Sequence, residues 1–546
     1  MIKPPKSKFM KIVDDANRLH LKNDLERAKE KYLEALVLSP DNSLILWKLG
    51  DICIGLNQFD HAAVYYSRLE ILNPGDVSII NNFAHCLIKI NAHDSAEKVL
   101  NAALKIDSND IATHLNLTVL ACAKFDYDKA LFHAKNALLI APNSAIAHNN
   151  LGSAFQKLGN DDLAAYQYET ATLIDPNYFD PKINLAGLLC KLGRVHEAIE
   201  LYENLLKRKD LSHESEIRIK QALAAEYLTI GNLDLGWKYY ELGLHPIIDF
   251  EMSRSPKRVF NVARWNGENL GNKTILVWGE QGIGDELLFL TCLPDLCKLT
   301  KNIIVECQSR IVSEIARSFP DIQVRASSYN SDVGFTQKYN DFDLQIPMGS
   351  LPLIFRKKIE DFNSSGPYIM VSKDKAEEFE NRLNLLDNSK IRVGICWRSG
   401  FQNAERNISY SQIKEWSPIF NNKNLEFINL QYGDCEQELN SVENDLGVKI
   451  LRWDDLDLKN DFKSTLALIS RLDFVITAAT AVHTMAAGVG VKTILMSSYG
   501  WTNVGTNYYP WFPNVEFVSA SDDFQPKPVS NCIPKVAKLF NNNLTN

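Results

Sequence analysis

Asp285 ends a glycine loop, Gly279-Glu280-Gln281-Gly282-Ile283-Gly284-Asp285, which follows a run of strand-forming residues at 274–278. A carboxylate in that place can take a proton from an attacking hydroxyl. Gly282 and Gly284 leave the backbone N–H groups of the loop free to face an anion or a sugar hydroxyl. The plainer alternative is that Asp285 is the N-cap of the helix that begins there. The loop is not a dinucleotide fingerprint, because Leu287 stands where G-x-G-x-x-G needs its third glycine. Nor is it a P-loop, since it contains no lysine.

A second group of residues lies about a hundred positions further on. A buried strand expected at 392–397 runs into Arg398-Ser399-Gly400 and a polar loop ending Glu405-Arg406-Asn407. Gln431 follows another strand, and Thr480 opens a helix of small residues in which Ala486, Ala487 and Gly488 allow tight packing. The helix start formed by Thr480, Ala481, Val482 and His483 would favour a diphosphate. Arg398 and Arg406 would neutralise it without a metal. His483 is the only histidine after His245, and a lone histidine near a helix start is more often structural. No cluster of histidines or carboxylates in the sequence suggests a metal site. Trp501, Tyr508, Tyr509 and Trp511 could stack on a base or sugar, but packing of the C-terminal edge is their simpler role.

The elements that must position these residues are short β-rich runs alternating with helical ones. Strands are expected at 274–278, 302–307, 322–324, 342–346, 392–397, 425–430, 474–477 and 493–496. That alternation predicts parallel sheets with crossover helices, and ligands at the C-terminal ends of the strands. Two Rossmann-like halves are expected, at 273–378 and 379–524, parted by an acidic, irregular stretch around 368–389 and followed by a helix or tail at 525–546.

The first half of the chain repeats. Alanine recurs every 34 residues at 28, 62, 96, 130, 164 and 198, and proline at 40, 74, 142 and 176 keeps the same period. This is the tetratricopeptide (TPR) pattern. Each small residue marks a close approach of two helices, and each proline ends the second helix of a pair. About seven repeats, the last after a four-residue insertion, place an α solenoid at 9–246 with a linker at 247–272. Asn82, Asn116, Asn150 and Asn184 fall in the first helices of successive repeats, on the concave side. Their amides could hold an extended peptide backbone, or they could be solvated or bridge neighbouring repeats.

Bulk properties narrow the partners. The chain has 546 residues and a formal net charge of −8, and its pI of 5.8 argues against nucleic acid. No apolar run is long enough to span a bilayer, and the basic N-terminus lacks the apolar core of a signal peptide. Ten scattered cysteines without a C-x-x-C suggest reduced thiols and a cytoplasmic protein.

In their order, G-E-Q-G-I-G-D-E, D-F-D-L-Q-I-P-M-G-S-L-P, G-I-C-W-R-S-G, E-R-N-I-S, I-N-L-Q-Y-G-D and the block 461–493 resemble bacterial TPR-containing glycosyltransferases. The C-terminal half of that group is similar to family 9, heptosyltransferase-like GT-B enzymes. The resemblance implies a TPR solenoid followed by a GT-B fold, and a sugar moved from a nucleotide-diphospho-sugar to a protein acceptor, flagellin in some members. It implies no cofactor beyond that co-substrate. It makes Asp285 the general base and gives Arg406 and Thr480 to His483 the donor phosphates. The chain departs from the family where Ala479 replaces an aspartate and Thr484 replaces a histidine. Two other readings stay open: a TPR scaffold with a non-catalytic GT-B module, and a transferase acting on a glycan or lipid-linked acceptor.

Overall fold

The structure, a computed structural model, describes residues 6–246, 248, 254–327, 329–330, 334–335, 340–364, 366–400, 409–521 and 527–543. The chain divides into two compact units, Met1–Leu188 and Leu189–Asn546.

The first unit is a stack of paired helices, from Lys6–Leu21 to Asp180–Lys191, which begins in it. The small residues do what their spacing predicts. A Cβ on Gly50 would come within 2.7 Å of the Tyr66 ring, and one on Gly152 within 2.7 Å of Tyr168. The tyrosines are buried by that approach, and each phenol finds a partner: Asp51 for Tyr66 at 2.5 Å and Gln156 for Tyr168 at 2.7 Å. The second helices stop at Leu38, Leu72, Ile140 and Ile174, two residues before each proline. Pro40, for instance, pushes Ser39 out of the helical region, to φ −144 and ψ 81. The first helices start on Asn42, Asp76, Asp110 and Ser144, whose side chains accept from backbone N–H groups of the first turn.

The turns inside the hairpins carry a second 34-residue period. Asn23, Asn57, Asn91 and Phe125 all have φ between 57 and 61, and Gly159 and Gly193 continue the series at positive φ. Asparagine and glycine tolerate the left-handed region; phenylalanine adopts it only at a steric cost.

The second unit holds the helices Val195–Leu206, His213–Thr229 and Leu233–Tyr240 together with two parallel sheets. Strands of the first region are β1 (Ala263–Arg264), β2 (Ile275–Trp278), β3 (Ile303–Cys307), β4 (Gln323–Ala326) and β7 (Leu344–Pro347), with β5 (Tyr329–Asn330) and β6 (Gly334–Phe335) forming an antiparallel pair apart. The sheet order is β1-β7-β2-β3-β4. Those of the second are β8 (Ile391–Cys396), β9 (Leu425–Asn429), β10 (Ile450–Leu451), β11 (Phe474–Ala478), β12 (Lys492–Ser497) and β13 (Val515–Ser519), in the order β10-β9-β8-β11-β12-β13. β2, β3 and most of β8 and β11 are buried along their length, as central strands covered on both faces must be.

The stretch expected to be irregular contains a helix, Lys373–Leu383. Only Ala376, Phe379 and Leu383 of it are buried, so its apolar face is diluted among charged residues. Among the described residues no helix is long and apolar enough to cross a membrane.

Phe125 is the outlier of the turn series and is largely exposed. Phe125→Asn should therefore stabilise the chain by about 1 kcal/mol. Thermal unfolding checks this: an unchanged or lower midpoint would show that the left-handed turn costs phenylalanine nothing.

Candidate functional site

Each sheet has one place where the chain reverses its direction of winding. In the first sheet the chain runs from β2 outward to β4 and then returns to β7 on the other side of β2. In the second it runs from β8 outward to β10 and returns to β11 on the other side of β8. Crevices open at the C-terminal ends of the strands at such points. The loops bordering them are Gly279–Gly282 after β2, Met348–Ser350 after β7, Trp397–Gly400 after β8 and Ala479–Thr480 after β11. The helices that follow the loops after β2 and β11 meet. A Cβ on Gly284 would lie 3.3 Å from the Ala481 Cα, so the helices Ile283–Phe289 and Ala481–Val489 touch at their first turns.

Asp285 is the third residue of its helix, not its N-cap; that position belongs to Gly282, at φ −87 and ψ 163. The carboxylate reaches back and accepts from the Gly282 N–H at 3.1 Å through Oδ2. Burial raises its pKa above the ordinary carboxylate value, against the lowering effect of that bond, and the neighbouring Glu280 charge adds to the rise. Glu280 is buried and accepts from the Gly349 N–H at 2.9 Å and from the Arg254 Nε at 2.9 Å. Glu286, next along the helix, is also buried and accepts from the Gln308 N–H at 3.0 Å. Its carboxyl is pushed up to about 8, mainly by burial. Gly279 is glycine for this reason: a Cβ there would overlap the Glu286 carboxylate.

In the second region Thr480 is the N-cap, and its Oγ1 accepts from the Val482 N–H at 3.3 Å. Ala479 is exposed beside it. The His483 Nδ1 faces the Thr480 carbonyl, which can only accept, so Nδ1 carries the proton. Nε2 then accepts from the Tyr509 hydroxyl at 3.0 Å. Burial lowers the His483 pKa to about 4, so the ring is neutral near pH 7. Tyr509 is itself buried; desolvation raises its pKa, with the Asp285 charge adding to it. The Asp285 loop and the His483 helix are thus electrostatically in reach of one phenol.

The remaining expected residues are held by internal bonds or lie elsewhere. Gln431 is buried, and its Oε1 accepts from the Trp397 and Arg398 N–H groups at 3.2 and 3.0 Å, fixing the exit of β8. The Arg398 guanidinium pairs with Glu438, Nε to Oε2 at 3.0 Å, and donates to the Asp434 carbonyl at 2.9 Å. Arg406 lies outside the described residues. Asn116 donates to the Asn81 side chain at 3.2 Å, and Asn184 to that of Asn149 at 2.9 Å, so these two bridge successive repeats. Asn82 and Asn150 are half-buried and have no side-chain hydrogen bond among the described residues.

Two features were not foreseen. A cavity of about 360 Å³ lies at the C-terminal ends of β9 and β10, lined by Gln431, Tyr432, Arg452, Trp453, Asp457 and Lys459 among others. The other is the buried Arg254, outside any periodic run of the sequence.

Tetratricopeptide-repeat families match the chain at residues 77–110 and 145–178, and at 183–214. Protein FlbA of Caulobacter vibrioides is 26% identical over 510 residues, which is 90% of this chain and 78% of that protein. Of solved structures, YrrB, described as a TPR protein with an unusual peptide-binding site, is 20% identical over 31% of this chain and 88% of its own, with a TM-score of 0.26. A tetratricopeptide repeat protein from Parabacteroides merdae is 15% identical over 45% of this chain and 97% of its own, with a TM-score of 0.38.

The Glu286 carboxyl gives a pH signature. Its folded pKa of about 8 lies above the ordinary 4.5, so its contribution to stability is fully present below about 4.5 and is lost as pH rises through 8. Glu286→Gln keeps an acceptor for Gln308 and removes the titration. The variant should gain stability relative to wild type between pH 5 and pH 9 in urea unfolding; parallel pH dependences would mean that Glu286 ionises freely in the folded chain.

Proposed function

We propose that this chain is a metal-independent GT-B glycosyltransferase that moves a sugar from a nucleotide-diphospho-sugar to a protein acceptor held by its TPR array. One observation carries the reading: the winding-reversal loops of two parallel sheets face each other, with a carboxylate on one and a helix start on the other. Asp285 takes the acceptor hydroxyl's proton while the nucleoside diphosphate leaves the anomeric carbon. Desolvation that lifts its pKa makes it a stronger base than a solvated aspartate. The N-terminus of the helix Ala481–Val489 favours the diphosphate. The cavity beyond β9 and β10 has Trp453, Tyr432 and Arg452 for the nucleoside. The half-buried, unbonded amides of Asn82 and Asn150 are available to a bound backbone.

The domain arrangement follows from this reading: a GT-B N-terminal half at 273–378 and a nucleotide-sugar half at 379–524. A second reading has one observation in its favour. Arg398 is engaged by Glu438, and both ring nitrogens of His483 have protein partners, so these side chains are committed within the fold. A TPR scaffold whose α/β region has lost catalysis would look the same at those positions.

A panel of nucleoside-diphosphate sugars, read by thermal shift and by release of nucleoside diphosphate, separates the two. The transferase stabilises with at least one donor and turns it over; a scaffold does neither. Asp285→Asn should cut turnover by roughly 10²–10⁴-fold while leaving donor binding intact. The acid limb of the wild-type pH profile should lie above the ordinary aspartate range, in the direction burial pushes Asp285. Full turnover by a folded Asp285→Asn chain removes Asp285 as base.

A further inference from the structure

The Gly-Asp loop is gripped from outside the α/β region. The helix Leu233–Tyr240 ends at Tyr240, whose hydroxyl lies 3.2 Å from Oε1 and 3.0 Å from Nε2 of Gln281. It can donate to the first and accept from the second. Gln281 has φ 63, a left-handed backbone that glutamine adopts only when its surroundings enforce it. The Gln281 N–H donates to the Ser255 carbonyl, so both backbone and side chain are held.

The residue before it is held in the same way. The Arg254 guanidinium lies 4.6 Å from the centre of the Tyr240 ring. It binds Glu280, donates to Glu241 at 2.9 Å and donates to the Ser350 hydroxyl at 2.9 Å. Glu241 directly follows Tyr240 in the chain. Tyr240 therefore holds Gln281 directly, and Glu241 is joined to Glu280 through the Arg254 guanidinium they share. Asp285 hangs on that loop through its bond to the Gly282 N–H.

We infer that Tyr240 is a positioning residue for Asp285, acting through Gln281, so that the last helical hairpin sets the geometry of the base. The inference rests on the glycosyl-transfer reading for its chemistry, but its structural half stands apart. Tyr240→Phe keeps the ring against Arg254 and removes only the hydroxyl. Arg254→Ala would leave the buried Glu280 carboxylate without its cation and is the wrong probe, because it threatens folding.

The experiment compares full-length wild type, Tyr240→Phe and, as a matched control, Tyr239→Phe. Amide hydrogen exchange is followed over residues 279–286, and donor turnover is measured with whichever nucleoside-diphosphate sugar of the panel wild type uses. In Tyr240→Phe, exchange in the loop should rise roughly tenfold while the β2 and β3 amides stay protected. The kcat should fall roughly ten- to a hundredfold with the donor KM within about twofold, since binding groups on the second sheet are untouched. Tyr239→Phe should change neither. Loop exchange equal to wild type overturns the inference whatever turnover does. Faster exchange with unchanged kcat overturns it too, because Asp285 would then not depend on the hold. A wild-type chain that uses no donor sinks the transferase reading alone, and loop exchange still decides whether Tyr240 holds the loop.

Discussion

The buried guanidinium of Arg254 ties together three separate segments of the second unit. Its side chain is 2% exposed and is paired with Glu280 of the loop after β2 and Glu241 beyond the helical hairpin, and it donates to Ser350 after β7. Burying such a cluster gains little net stability over an apolar replacement, but removing one member leaves another charge desolvated and unpaired. Its effect is one of geometry. Three separate chain segments are held in a fixed relation at the point where the first sheet reverses its winding. Gly349 shows how tight the relation is, since a Cβ there would sit 2.5 Å from the Glu280 carboxylate.

A second constraint brings the two sheets' loops together. Gly284 and Ala481 are small because the first turns of two helices touch there. Around this contact Phe289 packs against Trp501 and Trp511, at ring-centroid distances of 6.3 and 6.1 Å, and Trp237 of the last hairpin lies 6.2 Å from Trp511. The aromatic residues at 501 and 511 thus act mainly as packing, as the simpler sequence reading holds. Tyr509 differs from its neighbours because its hydroxyl is spent on His483 and lies within the field of Asp285.

Where a residue acts through a local period or a local motif, the sequence shows it. The close approach of Gly50 to Tyr66 follows from the 34-residue repeat of small residues, and the ends of the second helices follow from the prolines. The longer buried strands, β2, β3, β8, β9, β11 and β12, lie within two residues of where their β-rich runs put them. β1 and β10 have two residues each, too few to form such a run. The helix Lys373–Leu383 buries three residues among eleven, which hides its face behind charge. Asp285 was legible as a special carboxylate but misread as a possible N-cap, because the extended backbone of Gly282 takes that position. Arg254 and Tyr240 could not be read at all: their partners are 26 and 41 residues away, and no periodicity links them.

The pattern of committed polar groups constrains any chemistry at the facing loops. Gln431 holds the β8 exit, Arg398 is paired with Glu438, and His483 is bonded at both nitrogens. These side chains supply shape and a fixed field, and they cannot answer a ligand without first giving up a bond within the protein. Asp285 is different, because its carboxylate is held by backbone N–H and by no side chain of the described residues. On the transferase reading the division of labour is then physical: a donor is recognised by a helix start and a cavity whose lining is already set, and the single adaptable carboxylate is kept in place from the helical hairpin. A preorganised field with one reactive group suits a reaction in which charge develops on a leaving diphosphate, since nothing around it has to reorganise as the bond breaks.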